Sequence, residues 1–249
     1  MIERGLFLFF VFAIAASNAQ AFINIETLRR NAKEGVSGAL NLQASGQSGN
    51  SEKFTGEVSS LNLYRSLENE YIFLANYKYG ESNRLRDTHQ GSMHLRFARS
   101  WVDFPTAEAF AQTQFDQFKL LRSRDLLGGG LRFQLERSPK NGFFLGTGLF
   151  HEWEAIKDPG TSQEDWRGNI YLSLLRTLDE LWLMSITLYY QPALDEFSDF
   201  RLHSEIGLEL KLNQMLAFTL KYTHQYDSAP PPTVQRQDIS YLAGLSLKF

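Results

Sequence analysis

The sequence predicts an all-β fold, a transmembrane antiparallel up-and-down β-barrel of about twelve strands. Three observations predict it. The N-terminus has the form of an export signal, apolar and polar side chains alternate at every second position over most of the remaining chain, and short and long connections alternate along its length. Composition removes the competing classes. The 249 residues are 43% hydrophobic, 14% aromatic and 21% charged, which is too ordinary for a disordered or collagen-like chain. A formal net charge of -3 gives no electrostatic reason to expect nucleic acid. With no Cys there are no disulfides, cysteine metal sites or thiol nucleophiles. A mean hydropathy of -0.30 argues against a bundle of membrane helices.

Met1 to Arg4 is a short charged start, and Leu6 to Ala16 is an unbroken apolar run. That run is short for a membrane span and has the length of a signal-peptide core. Ala19-Gln20-Ala21 is a small-x-small cleavage site, so residues 1–21 are read as a signal peptide cut after Ala21. The competing reading is an uncleaved anchor helix. Residues 22–35 are read as a short periplasmic N-terminal segment. Phe22 to Glu34 has the mixed character of a short helix, either free in the periplasm or tucked into the lumen. Residues 36–249 are read as the barrel.

Early strands centre on Val36 to Ser45, Phe54 to Tyr64 and Tyr71 to Tyr79, the last with the least distinct faces. Next, Met93, Leu95, Phe97 and Trp101 oppose Ser92, His94, Arg96 and Ser100. After a strand over Ala107 to Phe115, Leu127, Leu131, Phe133 and Leu135 oppose Gly128, Gly130, Arg132, Gln134 and Glu136. Strands over Phe143 to Trp153 and Gly168 to Leu175 precede one in which Trp182, Met184, Ile186, Leu188 and Tyr190 share a face. The last three are the clearest. From Phe200 to Leu212, Arg201, His203, Glu205, Gly207, Glu209 and Lys211 lie opposite Phe200, Leu202, Ser204, Ile206, Leu208, Leu210 and Leu212. A helix would scatter these two classes, and a strand separates them. Leu216 to Thr223 and Asp238 to Phe249 repeat the pattern. Residues 22–249 over twelve strands allow about nineteen residues each, enough for a tilted span of about nine to eleven and a connection.

Short links are expected near Arg65 to Glu70, Val102 to Thr106, Arg137 to Gly142, Thr177 to Glu180 and Leu212 to Gln214. Longer polar ones are expected at Gly46 to Lys53, Glu81 to His89, Gln117 to Arg124, Ala155 to Arg167, Pro192 to Asp199 and Asp227 to Gln237. Transmembrane barrels have short periplasmic turns and longer external loops. The apolar face would then meet lipid, and Tyr64, Tyr71, Tyr79, Trp101, Trp153, Trp182 and Tyr222 would form interfacial girdles. Alternation by itself does not tell this arrangement from a soluble barrel with its apolar face inward. Phe249 ends the chain on the apolar face and is read as the signal for barrel assembly machinery.

The candidate site is a mixed-charge network in the lumen: Arg96, Arg132, Glu136, Arg201, His203, Glu205, Glu209 and Lys211, with Lys221, Lys248 and Glu57 on the same faces. Both signs are present, so no ion selectivity is readable. The five His form no HExxH or HxH pair, and no metal, cofactor or catalytic residue is singled out. Ser204 points away from His203, so the two make no acyl-transfer pair within their strand. Gly128-Gly129-Gly130 lacks the Lys-Ser/Thr of a phosphate loop and is read as making room in the lumen or allowing a bend. Pro230-Pro231-Pro232 is read as stiffening an exposed loop.

Four stretches resemble a known family. They are Gly38-Ala39-Leu40-Asn41-Leu42 with Ser48-Gly49-Asn50, Leu121-Arg122 through Gly128-Gly129-Gly130-Leu131, Phe200-Arg201-Leu202-His203-Ser204-Glu205, and Tyr222 through Tyr226-Asp227-Ser228, Pro230-Pro231-Pro232 and Asp238. The chain resembles the domain of unknown function 481 family, described as salt-induced outer membrane proteins. The resemblance implies an outer-membrane barrel, a loose association with salt stress, and no catalytic residues. The expected function is a passive narrow pore or a salt- or osmotic-stress component of the envelope, not an enzyme. The expected partners are outer-membrane lipid, the assembly machinery, and small solutes or ions. The alternatives are an outer-membrane enzyme acting on lipid or peptide and a soluble periplasmic ligand-binding barrel.

Overall fold

The computed structural model describes residues 25–49, 52–101, 104–138, 140–157 and 160–248. The signal-peptide reading and Phe249 lie outside the described residues. Among the described residues one α-helix, α1 (Glu26–Asn31), precedes twelve strands. They are β1 (Gly35–Gln47), β2 (Lys53–Ser66), β3 (Asn69–Ser82), β4 (Leu85–Trp101), β5 (Phe104–Asp116), β6 (Leu121–Arg137), β7 (Asn141–Ile156), β8 (Ser162–Thr177), β9 (Trp182–Pro192), β10 (Phe200–Lys211), β11 (Leu216–Asp227) and β12 (Gln237–Lys248). Each pairs antiparallel with its sequence neighbours, and β12 returns to β1 to close the barrel. The shortest strand, β9, has 11 residues. At about 3.3 Å per residue and a tilt near 45°, that crosses about 25 Å, the height of a lipid-facing band.

The direction of the apolar face decides between the two barrel types. Arg167 and Glu152 are each 1% exposed inside, whereas Met93, Leu95 and Leu127 are more than half exposed outside. Lipid offers no hydrogen-bond partners, so closure satisfies the backbone while the apolar side chains cover the outside. The barrel is therefore inside-out relative to a soluble protein. Outward aromatics cluster at both rims, and one pair, Tyr222–Tyr241 at 5.3 Å, sits mid-strand. Tyr64, Tyr71 and Phe97 form a ladder with centroids 6.1 and 5.2 Å apart near the lower rim, the one where β1 begins. Toward the upper rim, His151 contacts Trp153 and Trp166 at 4.4 and 4.9 Å, and Phe200 lies between Tyr190 and Tyr226 at 5.7 Å from each.

Several polar stretches expected as loops are strand. β3 and β4 meet in a hairpin whose only intervening residues are Asn83 and Arg84, at φ 50 and 65, the left-handed pair a type I′ turn needs. β6 starts at Leu121 and β8 at Ser162. Polarity there marks where the sheet leaves the apolar band, not where the ladder stops. At the lower rim, Asp179 Oδ1 accepts from the amides of Leu181 and Trp182 (2.8 Å each), and Asn213 Oδ1 from those of Met215 and Leu216 (2.8 Å each). These local turns fix short links without glycine.

The glycines of β6 and β7 allow close approach. A Cβ on Gly130 would meet the backbone oxygen of Thr147 at 2.3 Å, and one on Gly146 would enter the Tyr171 ring at 1.9 Å. Gly130→Val is therefore expected to lower stability by about 3 kcal/mol, because backbone must move. Gly46→Ala, where a Cβ meets only ordinary contact, is expected to shift it by less than about 0.5 kcal/mol. Urea titration of vesicle-refolded protein, read by heat-modifiable gel mobility, checks both. Equal midpoints would mean that β6 and β7 do not approach this closely.

Candidate functional site

The site is the lumen, built from inward side chains of all strands and from α1. The lower half holds a network centred on the helix. Arg29 of α1 pairs with Glu108 at 2.7 Å, Glu70 at 2.8 Å and Glu26 at 3.1 Å. Arg132 returns to Glu26 at 2.5 Å, and Arg96 reaches Glu108 at 3.3 Å. The hydroxyl of Tyr171 donates to Glu108 at 2.9 Å. Arg65 donates to the carbonyls of Arg29 and Ala32, at 2.9 and 2.5 Å, and pairs with Glu70 at 2.5 Å. Ile25 and Ala32, which flank α1, pack with Ala39, Leu61, Leu63, Ile72 and Leu74 of β1–β3. This explains the indistinct faces of β3. Its inner face meets a helix and its outer face is apolar too, so both carry hydrophobic residues.

The upper half holds a second network. Arg167 pairs with Asp199 at 2.6 Å and Glu152 at 3.2 Å, and Arg201 with Glu152, Glu154 and Asp227 at 2.5, 3.0 and 3.1 Å. Arg124 pairs with Glu154 at 2.6 Å. Lys119 crosses to Asp238 at 2.5 Å. Buried charges persist only when paired in this way.

Two cavities among the described residues bear on function. The larger, about 790 Å³, runs beside α1 along the inner wall of β9–β12, β1 and β2, and reaches the lower rim at Asp179 and Asn213. The smaller, about 70 Å³, lies in the upper network beneath Pro230 and Pro231. The division between them falls at one level on three adjacent strands. His203, Gln225 and Asp238 line the upper cavity, while Glu205, Thr223 and Ser240 line the lower. His203 pairs across the ladder with Gln225 and Glu205 with Thr223, so one ladder step separates the cavities. This waist is held by the Glu205–Lys221 pair at 3.3 Å and the buried ring of His203, 6.2 Å from that of Tyr189.

The structure scatters the residues expected to form one network. Arg96 and Arg132 join the lower network and Arg201 the upper. His203 and Glu205 form the waist, and Glu209 and Lys211 line the lower cavity. Glu136 joins none of them. A bulge between Gln134 and Glu136 inserts Leu135, so Glu136 pairs with Phe143, an outward position of β7, and is exposed. A period-two count does not see an inserted residue. Lys221 and Glu57 are interior, and Lys221 belongs to the waist. The principal carboxylates, Glu26, Glu70, Glu108, Glu152 and Glu154, and the arginines Arg29, Arg65, Arg124 and Arg167 are additional to the expected set. Among the described residues no group of three or more His, Asp or Glu is arranged to hold a metal ion.

The family model described as "Protein of unknown function, DUF481" matches residues 40–249. No curated protein matches the chain. Among solved structures, the fold is similar to that of the NanC porin, with a TM-score of 0.54 and 11% identity over 86% of this chain and 100% of that one. It is also similar to the translocator domain of the autotransporter NalP from Neisseria meningitidis, with a TM-score of 0.53 and 10% identity over 90% of this chain and 92% of that one. At these identities the likeness is one of fold.

Proposed function

The chain belongs to the DUF481 family, and from that membership and the inside-out barrel we propose that it is an outer-membrane protein forming a narrow, passive, non-enzymatic pore for small solutes or ions. The carrying observation is the cavity of about 790 Å³, lined by both polar and apolar side chains, that opens at the lower rim and stops one ladder step below a second cavity. A structural barrel with a sealed core would have no such space. Both chain ends of an even-stranded barrel lie on one side, which makes the lower rim periplasmic and places the longer connections, residues 193–199 and 228–236, outside. In this reading residues 25–34 enter the lumen from the periplasm. Phe249, after β12, serves the assembly machinery, and outer-membrane lipid covers the apolar belt. The salt-stress association implied by the family is part of the proposal; growth of a deletion strain across a salt series tests it.

The porin and translocator likenesses support the fold and no particular solute. The test is single-channel conductance of residues 22–249 refolded into a planar bilayer. Discrete steps that scale with salt are expected, larger in His203→Ala, which removes the ring at the waist. A silent, folded barrel, with His203→Ala equally silent, would end the pore reading.

A further inference from the structure

The seam that closes the barrel is incomplete. Among the described residues, β1 and β12 pair only at Ala39↔Lys248, Leu40↔Leu247 and Asn41↔Ser246. The next seam, β11–β12, pairs from Leu216↔Leu247 to Tyr226↔Gln237. Continuing the β1–β12 register would set residues 42–47 against residues 240–245, yet those of β1 pair only with β2 and those of β12 only with β11. The burial pattern agrees. Ala44, Ser45, Gly46 and Gln47 are all exposed, so the inner and outer faces of upper β1 are equally bare. The gap starts at mid-height, above the bond from Ser246 Oγ to Asn41 Oδ1 at 2.6 Å. It rises to the level of Tyr79, which pairs with Gly56, which in turn pairs with Ala44.

The large cavity reaches this gap. Asn41, Gln43, Ser240, Leu242 and Gly244 line it from within, and Leu245, a 53%-exposed residue of the outward set, borders it from the outer face. Unpaired backbone groups facing hydrocarbon cost several kcal/mol each. At this depth the Gln43 side-chain amide, which lies against Gly244, reaches one level of the gap, and water from the lumen or the polar part of a bound molecule satisfies the rest. The hydroxyls and amides of Asn41, Gln43 and Ser240 lie on the lumen side, and Leu42 and Leu245 on the lipid side. We propose that the β1–β12 seam is a lateral port for a single-chain amphiphile. Its polar head would lie in the lumen cavity, and its chain would pass between Leu42 and Leu245 into the bilayer. This deepens the pore reading by naming a solute class and a second exit, and rests on that reading only for the barrel's place in the membrane.

The chain has no Cys, so introduced thiols report without background. In vesicles, the Asn41→Cys/Ser246→Cys pair is expected to form a disulfide on mild oxidation. The Ala44→Cys/Ala243→Cys pair is expected to need a longer bis-maleimide linker, because a disulfide requires Cα atoms about 4.4–6.8 Å apart. Separately, bimane placed on Ser240→Cys at the seam is expected to be quenched several-fold more by doxyl-stearic acid in the bilayer than bimane on Ser185→Cys, in the same cavity on β9. Quantitative oxidation of the 44/243 pair overturns the port, and so does equal quenching at 240 and 185. Conductance steps without selective quenching at 240 leave the pore and remove the port. Selective quenching without conductance does the reverse.

Discussion

A chain beginning at Gly35, without α1, is expected to conduct several-fold more than residues 22–249. An α-helix with side chains is about 10 Å across, a large part of a twelve-stranded lumen. α1 fills the space between the apolar inner wall of β1–β3 and the charged wall of β4–β6 and β8. Its removal joins that space to the existing cavity. The barrel should survive the loss. Glu70 keeps Arg65 at 2.5 Å, and Glu108 keeps Arg96 at 3.3 Å and the Tyr171 hydroxyl at 2.9 Å. Arg132, deprived of Glu26, still lies 3.8 Å over the ring of Phe144 and gains water. Arg29→Ala is a finer test. It deletes the contacts to Glu108, Glu70 and Glu26 but leaves Ile25 and Ala32 on their apolar patch. The expected record switches between the full-length and truncated conductance levels. Equal conductance in the truncated and full-length chains would show that current passes beside α1, with the waist at His203 and Glu205 as the only resistance that matters.

The helix also marks how far the sequence can be read. β10 to β12 are legible because their two faces meet two solvents, lipid and lumen, and the alternation records that difference directly. β3 is blurred because its inner face meets α1. The stretch 81–89 resembles a loop because a strand beyond the apolar band is polar on both faces. Alternation places Glu136 in the lumen because a bulge leaves no mark on a count of alternate positions. Ion-pair partners are the least legible. Glu108 and Arg29 are 79 positions apart, and Glu152 and Arg201 are 49 apart. What brings them together is the register of several hairpins and the closure of the barrel. Composition shows that both signs line the lumen, but only geometry divides them into two networks with a waist between. The lower network has Glu26, Glu70 and Glu108 against Arg29, Arg65, Arg96 and Arg132. The upper has Glu152, Glu154, Asp199, Asp227 and Asp238 against Arg124, Arg167, Arg201 and Lys119, so the two carry opposite excess charge.

That division sets the second expectation, that Arg167→Ala makes the pore more cation-selective and the barrel less stable. Arg167 is the most enclosed cation of the upper network, and it ties β8 to the connection before β10. Its guanidinium donates to Asp199 at 2.6 and 3.2 Å, to Glu152 at 3.2 Å and to the carbonyl of Gln191 at 3.5 Å. Removing one partner of a buried pair leaves the other charge uncompensated, at a cost of about 3–5 kcal/mol. Glu152 retains Arg201 at 2.5 Å and Arg124 at 3.7 Å, so most of the loss should fall on Asp199 and its connection. The upper network would then set its carboxylates against Arg124, Arg201 and Lys119. A negative ring in a constriction favours cations, so the reversal potential under a salt gradient should move toward the cation limit. Glu152→Gln in the same background should move it partly back, since it removes one negative charge while Arg124 and Arg201 remain. Stability and selectivity thus report separately. A folded Arg167→Ala barrel with an unchanged reversal potential would place the ion path outside the upper network, and the lateral gap at β1–β12 would then be the exit that ions use.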